Sequence, residues 1–451
     1  MKIIIIGLGS IGETILKSLS GEGHTITIID EDKRLIERLI EKYDAFGVVG
    51  NGASMDVQKE ADARNADLVI ALTKNDELNV FACLVAKHLG VGHTVARVRN
   101  PEYRKQIEQM RDALGISMVV NPERETADEI FNLISLPSVS GVEHFAKGRA
   151  LLVEVVVREK SVLAGKSLIE LGRMLHAKVL VCAVQRWEEV IIPNGKFMIR
   201  DGDRIYFTAD AKNLSAFLEE VNLVESPLKN VMIVGGGEVG YYLADTLSRK
   251  RYAVKLIEKN ADTADALAES LNNVTVICGN GTRQDMLIEE GIEAMDAFVA
   301  LTDVDEGNMI VSMFANRKRV KKTIALIEND ALFGMLHEMG IDNTVSPKRI
   351  AADRIISYAR ALSNSIGSNV KTLYRLVGDQ VEALEFAAKK PNEIYGKPLK
   401  ELNIKKDCLI ACIIRNHEVI IPDGNAVIEM DDSVVVVTTQ KNLDDLSEVF
   451  E

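Results

Sequence analysis

The sequence predicts an α/β protein written twice: two tandem, doubly wound parallel-sheet domains, each followed by a small α+β domain. Three observations predict it. The first is an internal repeat. GLGSIG at 7–12 recurs as GGGEVG at 235–240, GNGAS at 50–54 as GNGTR at 279–283, and ALTKNDELN at 71–79 as ALTDVDEGN at 300–308. VVNPERETADEI at 119–130 recurs as TVSPKRIAADRI at 344–355, and VIIPNG at 190–195 as VIIPDG at 419–424. A near-constant offset over five motifs is the mark of tandem duplication. The second is the alternation, in the first part of each copy, of short β-branched runs with longer amphipathic ones, the rhythm of a parallel sheet covered on both faces. The third is a change of texture about 140 residues into each copy, where strands and turns crowd into some 80 residues.

Taken in order, Lys2–Ile6 reads as a buried strand, 11–19 as a helix, 25–29 as a second strand and Lys33–Lys42 as a charged helix. Phe46–Val49, 68–72 and 94–98 are further strands with helices between them, and 123–134 is helical up to Pro137. Pro137 opens a small-residue linker ending at Gly141. Beyond it, 153–157, 178–185, 190–192 and 204–208 read as strands, with a short helix through Leu175 and turns at 193–195 and 201–202. Residues 225–227 join the copies and 365–369 form the second linker. The expected domains are 1–136, 142–225, 228–364 and 370–451.

Composition excludes several classes. At 451 residues, 47% hydrophobic and 27% charged, the chain has a globular make-up. No apolar run approaches the roughly 18 residues of a membrane span, and the start MKIIIIGLGS is too short for a secretory core. Lys and Arg number 54 against 67 Asp and Glu, a net charge of −13, and aromatic residues are sparse at 5%. A nucleic-acid partner is therefore not expected. Cys83, Cys182, Cys278, Cys408 and Cys412 are scattered without a zinc spacing, as in a reducing cytosol. Cys408 and Cys412 are expected on one face of a strand as two small buried side chains.

The candidate site is the glycine turn after the first strand. Gly7 permits the tight turn, Gly9 lets backbone approach a pyrophosphate, and Gly12 lets the helix pack on the sheet. The helix start, through Ser10 and Ile11, offers free N–H groups to phosphate. Asp30, 18 residues beyond Gly12 at the end of the second strand, suits both ribose hydroxyls and disfavours a 2′-phosphate. Strand, GxGxxG, helix, strand and acid together make a Rossmann-like dinucleotide site. Gly235, Gly236, Gly237, Glu238 and Val239 repeat the turn, and Glu258 repeats the acid. Glu238 stands where Ser10 does, adding a repelling carboxylate. Thr73 and Lys74, at the carboxyl edge of a strand, and Arg97, on the next, are expected to complete the first pocket. Their second-copy counterparts are Thr302, Asp303 and Leu326, so the two sites should differ.

GLGSIG with Asp30, GNGAS, ALTKNDELN, the Ala96-Arg97-Val98-Arg99 run and the VIIPNG module resemble the regulator-of-potassium-conductance (RCK, or KTN) family over nearly the whole chain. The resemblance implies two Rossmann-like RCK N-terminal domains, each followed by an RCK C-terminal domain serving dimer contacts and sometimes an effector. It implies a cytosolic protein, peripheral on the inner face of the plasma membrane and assembled as a ring-forming homo-tetramer under a potassium transporter of the TrkH type. It implies binding of NAD(H), and in some members ATP or ADP. The family's nucleotide contacts map onto Gly7, Leu8, Gly9, Ser10, Ile11, Asp30, Thr73, Lys74 and Arg97, and onto Gly235, Gly236, Gly237, Glu238, Val239 and Glu258.

The competing reading is an NAD-dependent oxidoreductase. That chemistry needs a proton-transfer group beside the nicotinamide. Tyr241 and Tyr242 have no Lys four residues on (Asp245 and Thr246 stand there), and the small domains are slight for substrate domains. A regulatory, non-enzymatic subunit is the expectation.

Overall fold

A computed structural model gives the fold. It describes all residues except 137–138, 140, 146–149, 159–160, 188, 224–227, 333–335, 337–338, 340, 342, 368–369, 377–379, 390–392, 417, 441–442 and 444. The expected linkers at 137–141, 225–227 and 365–369 lie wholly or partly outside the described residues.

The first nucleotide-type domain contains β1 (Lys2–Ile6), α1 (Ser10–Leu19), β2 (Thr25–Asp30), α2 (Lys33–Lys42), β3 (Phe46–Val49), α3 (Met55–Glu60), β4 (Leu68–Ala71), α4 (Asp76–His88), β5 (His93–Arg97), α5 (Pro101–Leu114), β6 (Met118–Val120) and α6 (Pro122–Ser135). Its six parallel strands lie in the order β3-β2-β1-β4-β5-β6. That is the doubly wound arrangement, with the switch point between β1 and β4. The isoleucines of β1 are buried on both faces, as a central parallel strand requires. Asp32 caps α2 by accepting from the N–H of Arg34 and Leu35.

A small module follows: β7 (Gly141–Phe145), β8 (Ala150–Val156), α7 (Leu168–Met174), β9 (Leu180–Arg186), β10 (Glu189–Ile191), β11 (Arg204–Ala209) and α8 (Ala211–Glu220). Its sheet runs β10-β9-β11-β8-β7. Ser167 and Glu170 form a capping box at α7. β6, β7 and α8 were not anticipated from the sequence.

The second copy repeats both parts with β12 (Asn230–Val234), α9 (Glu238–Arg249), β13 (Ala253–Glu258), α10 (Ala261–Ser270), β14 (Val274–Cys278), α11 (Gln284–Glu289), β15 (Ala297–Ala300), α12 (Asp305–Arg317), β16 (Lys322–Leu326), β17 (Asn343–Val345) and α13 (Pro347–Gly367). The small module then has β18 (Val370–Leu376), β19 (Val381–Ala387), β20 (Cys408–Arg415), β21 (Glu418–Ile420) and β22 (Ser433–Thr438). The sheet orders are β14-β13-β12-β15-β16-β17 and β18-β19-β22-β20-β21.

These four parts form two compact units. One holds Met1–Ser135 with Leu228–Ile356, and the other Leu136–Pro227 with Ser357–Glu451. In the first unit α6 leaves its own domain: Ala127, Ile130, Leu133 and Ile134 are buried with Leu243 and Leu247 of α9 and Val231 and Ile233 of β12. Their spacing is the helical stripe that an amphipathic helix buries. In the second unit the faces of the two small sheets share a core, with Leu152, Cys182 and Tyr206 against Ala383, Cys412 and Val435. Thr208 Oγ1 donates across it to the Ala411 carbonyl at 2.7 Å.

One expectation fails here. Cys408 and Cys412 are both buried but lie on opposite faces, Cys408 in its own module's core and Cys412 in the core shared by the two sheets. A register shift between Ile410 and Cys412 inserts an extra residue, and a bulge exchanges the faces of everything beyond it.

Candidate functional site

The two glycine turns are built alike. Gly7 has φ +87° and Gly235 φ +108°, a region that favours glycine. A Cβ on Gly7 would lie 2.8 Å from the Thr73 nitrogen, and one on Gly235 2.5 Å from the Leu301 carbonyl oxygen. A Cβ on Gly12 or Gly240 would meet the carbonyl oxygen of Gly7 or Gly235 at 2.3 and 2.2 Å, so these glycines set the approach of helix to strand. Gly9 and Gly237 differ: a Cβ there would meet nothing within 4 Å. These positions face open space, and each precedes a helix with no side-chain cap. The leading N–H groups of α1 and α9 are left for another acceptor.

The acids at the strand ends hold the turns. Asp30 accepts from the Leu8 N–H through Oδ2 at 2.8 Å and from the Asp32 N–H through Oδ1 at 3.0 Å. Glu258 accepts from the Gly236 N–H at 2.7 Å and the Asn260 N–H at 2.8 Å. Each carboxylate oxygen keeps a lone pair for a further donor.

The structure thus brings Gly7, Leu8, Asp30 and Thr73 together at the first turn. Thr73 is fixed by Asn79, which the sequence reading missed. Asn79 Oδ1 accepts from the Thr73 N–H and Oγ1 at 2.8 and 2.7 Å, and its Nδ2 donates to the carbonyls of Thr73 and Arg97, both at 3.0 Å. Asn308 repeats this set with Thr302 and Leu326 at 2.7 to 2.9 Å. Asp76 accepts from the N–H of Arg99 and Asn100, and Asp305 from those of Glu328 and Asn329. The available signal was the pair of residues, Asn and Asp, repeated inside ALTKNDELN and ALTDVDEGN.

Lys74 is exposed, and its carbonyl accepts from Arg99 Nη2 at 2.7 Å. Arg97 is already paired. Its Nη2 pairs with Glu123 Oε1 at 3.1 Å, both side chains largely buried. With Ser10 and Ile11 it lines a cleft of about 740 Å³ whose opposite wall is the second turn, Gly237 to Gly240. Six carboxylates line this cleft, from Glu123, Glu238, Asp303, Asp305, Glu306 and Glu328, against the cations of Arg97 and Lys348. Burial, with Glu123 and Asp76 nearby, raises the Glu238 carboxyl above its ordinary value although Arg99 and Arg97 oppose this. Burial and Asp305 raise Glu328 in the same way, against Lys348. A latch ties the two domains beside the cleft. Tyr242 on α9 donates to the Arg99 carbonyl at 2.9 Å and accepts from Asn121 Nδ2 at 3.3 Å.

The fold and turns define a tandem Rossmann-type protein with a small domain after each copy. The TrkA-N domain matches residues 3–122 and 231–347, and the TrkA-C domain matches 152–222 and 383–451. The chain is 34% identical over 456 residues to the Trk system potassium uptake protein TrkA of Vibrio alginolyticus, covering 100% of this chain and 99% of the relative. It is 32% identical to that of Haemophilus influenzae over the same span and with the same coverage. The chain belongs to the TrkA family. In fold it is similar to the GsuK channel, at TM-score 0.66 and 18% identity over 98% of this chain and 77% of that one. The GsuK channel bound to NAD matches at 0.64, also 18% identical with the same coverage. GsuK bound to ADP matches at 0.52 and 15% identity, over 81% and 69%. Among the described residues no helix is long and apolar enough to cross a membrane.

Proposed function

We propose that the chain is the nucleotide-sensing regulatory subunit of a Trk-type potassium uptake system, binding NAD(H), and ATP or ADP, to gate potassium ion movement through a membrane-embedded transporter of the TrkH type. It works without catalysis, from the cytosolic face of the membrane, as a ring-forming homo-tetramer of chains with domains at 1–136, 142–225, 228–364 and 370–451. The transport system comes from the name its full-length relatives carry. The ligand class is supported by the GsuK structures bound to NAD and to ADP.

The observation that carries the reading is the first turn: uncapped helix N–H groups, an open edge at Gly9, and Asp30 with lone pairs to spare. These features fit the diphosphate and ribose of an adenine dinucleotide or nucleotide. Gly7, Leu8, Gly9, Ser10 and Ile11 would hold the phosphates, Asp30 the sugar, and Thr73, Lys74 and Arg97 the far end. The bound ligand supplies charge and hydrogen-bond acceptors and no reacting bond. The oxidoreductase reading is not favoured, because Tyr242 is buried and its hydroxyl is taken up by Arg99 and Asn121. Assembly of copies is supported by apolar side chains exposed at equivalent positions of both halves: Phe81, Leu84 and Met110, and Ile310, Met313 and Met339.

Gating follows from population shift: a ligand biases two arrangements of the nucleotide domains only by its differential affinity for them. A dinucleotide and a triphosphate share the adenosine end at Asp30 and differ toward Lys74 and Arg97. The test is potassium flux through a TrkH-type transporter in proteoliposomes, with the chain and with NADH, ATP or ADP. The expected result is a severalfold, nucleotide-dependent change that Asp30→Ala removes. Flux indifferent to every nucleotide refutes the reading.

A further inference from the structure

We propose that the second glycine turn takes an adenosine ligand with few phosphates, the nucleoside or its monophosphate, and that Glu238 and Asp303 set this preference. The inference rests on the nucleotide-sensing function proposed above and names the ligand class of its second site.

What the second half keeps is the grip on a sugar. Glu258 holds the turn as Asp30 does, through the Gly236 N–H at 2.7 Å and the Asn260 N–H at 2.8 Å. Gly237 is as open as Gly9, and Thr302 is fixed by Asn308 as Thr73 is by Asn79. What it loses is the positive side-chain charge around the phosphate-facing end of the turn. At equivalent places Ser10 becomes Glu238, Lys74 becomes Asp303, Arg97 becomes Leu326 and Arg99 becomes Glu328. Three cationic positions and one neutral one become three acidic positions and one neutral one. Two exchanges run in the other direction: Glu31 to Lys259, beside the sugar acid, and Glu123 to Lys348 in the cleft, where the Lys348 ammonium is engaged by the Glu328 carbonyl at 2.8 Å. Arg97 reaches the same cleft from the first domain but is paired with Glu123 at 3.1 Å.

The consequence is electrostatic. A phosphate chain leaving the N-terminus of α9 enters a cleft carrying six carboxylates, with Glu238 on the first residue of that helix. Each added phosphate brings charge of the same sign into a partly buried space, where like charges repel more than in bulk water. The penalty grows with phosphate number, whereas the sugar contact does not depend on it. The cleft therefore discriminates by charge and leaves the nucleoside end alone.

The test is binding stoichiometry of the full chain for adenosine, AMP, ATP and NADH in divalent-free buffer, by equilibrium dialysis or calorimetry. Adenosine and AMP should saturate at two per chain, and ATP and NADH at one. Glu238→Ser with Asp303→Lys, which restores the first-half residues, should raise ATP to two per chain, tighten its second-site binding at least tenfold, and leave adenosine within twofold. Two ATP per chain in the wild type with affinities within threefold overturns the inference while leaving the proposed function standing. So does adenosine saturating at one per chain. Unchanged second-site ATP affinity in a double variant with wild-type melting overturns it as well. Failure of every adenine ligand to bind refutes both the inference and the function beneath it. The wild-type stoichiometry decides the matter even if the double variant does not fold.

Discussion

The two halves of the nucleotide-type unit share a backbone and differ in charge. The Gly7 N–H meets the Ile29 carbonyl at 2.9 Å, and the Gly235 N–H meets that of Ile257 at 2.9 Å. The asparagine clamps recur bond for bond, and the acids at the starts of α4 and α12 accept from equivalent backbone N–H groups. Yet the residues around the proposed phosphate region change charge: Lys74, Arg97 and Arg99 in one half, Asp303, Leu326 and Glu328 in the other. Residues that make the turn possible and residues that choose its occupant are therefore separable, and substitutions can address either group alone.

The largest effect should come from breaking the turn. Gly7→Val and Gly235→Val each force a side chain into positive φ against backbone, at a cost of about 3 kcal/mol or more. Gly9→Val meets only open space. It should melt within a degree or two of the wild type yet lose nucleotide affinity. Thermal unfolding of the three variants separates the roles, and a Gly9→Val that melts with Gly7→Val would erase the distinction.

Next is Arg97→Ala. It strands the Glu123 carboxylate, 15% exposed, and should cost about 1–3 kcal/mol in denaturant unfolding. Lys348→Ala, at the place equivalent to Glu123, removes a bond to a carbonyl and should cost about 1 kcal/mol. Equal losses would mean that the halves do not differ as described.

Tyr242→Phe removes a donor to the Arg99 carbonyl and an acceptor for Asn121. A loss of about 1 kcal/mol is expected, read as lower protection of amides along α6 and α9. Unchanged exchange would show that the latch contributes nothing to the seam.

The smallest effect is on pH dependence. Glu238 faces Asp76 of α4, Arg97 of β5, Arg99 just beyond it and Glu123 of α6, and its carboxyl is raised. A raised carboxyl is penalised while charged, and the penalty lifts as pH falls through its folded value, sooner than for a free glutamate. As pH falls below neutral, AMP binding at the second turn should tighten modestly, and Glu238→Gln should weaken the change, leaving the part carried by Glu328. The first turn has Ser10 there and should not share the trend. Equal pH profiles at both turns would argue against the assignment.

Much of this was legible in the sequence because it is local. The four isoleucines of β1, the glycine spacing and the acid 18 residues on each state their own role within about 30 residues of chain. What was not legible depends on residues brought together from afar. The helix α6 reads as the closing helix of its own domain, but its apolar stripe is buried in the second domain's core. For the same reason the pairing of Arg97 with Glu123 on that helix, at a cleft that reaches from Ser10 to the second turn, leaves no sign in the local sequence. The faces of Cys408 and Cys412 were misjudged because a bulge leaves no mark in an alternating apolar run. Asn79 was overlooked because an asparagine inside a helix has no distinctive spacing, although its duplicate at Asn308 was in view.

The first glycine turn, with Asp30, is proposed above as an adenine-nucleotide receptor. The most direct measurement is an NADH titration of the full chain and of Asp30→Ala, each checked for wild-type melting. Saturable binding by the wild type and at least tenfold weaker binding by the variant, about 1.4 kcal/mol, are expected. Identical affinities in two well-folded proteins would contradict it.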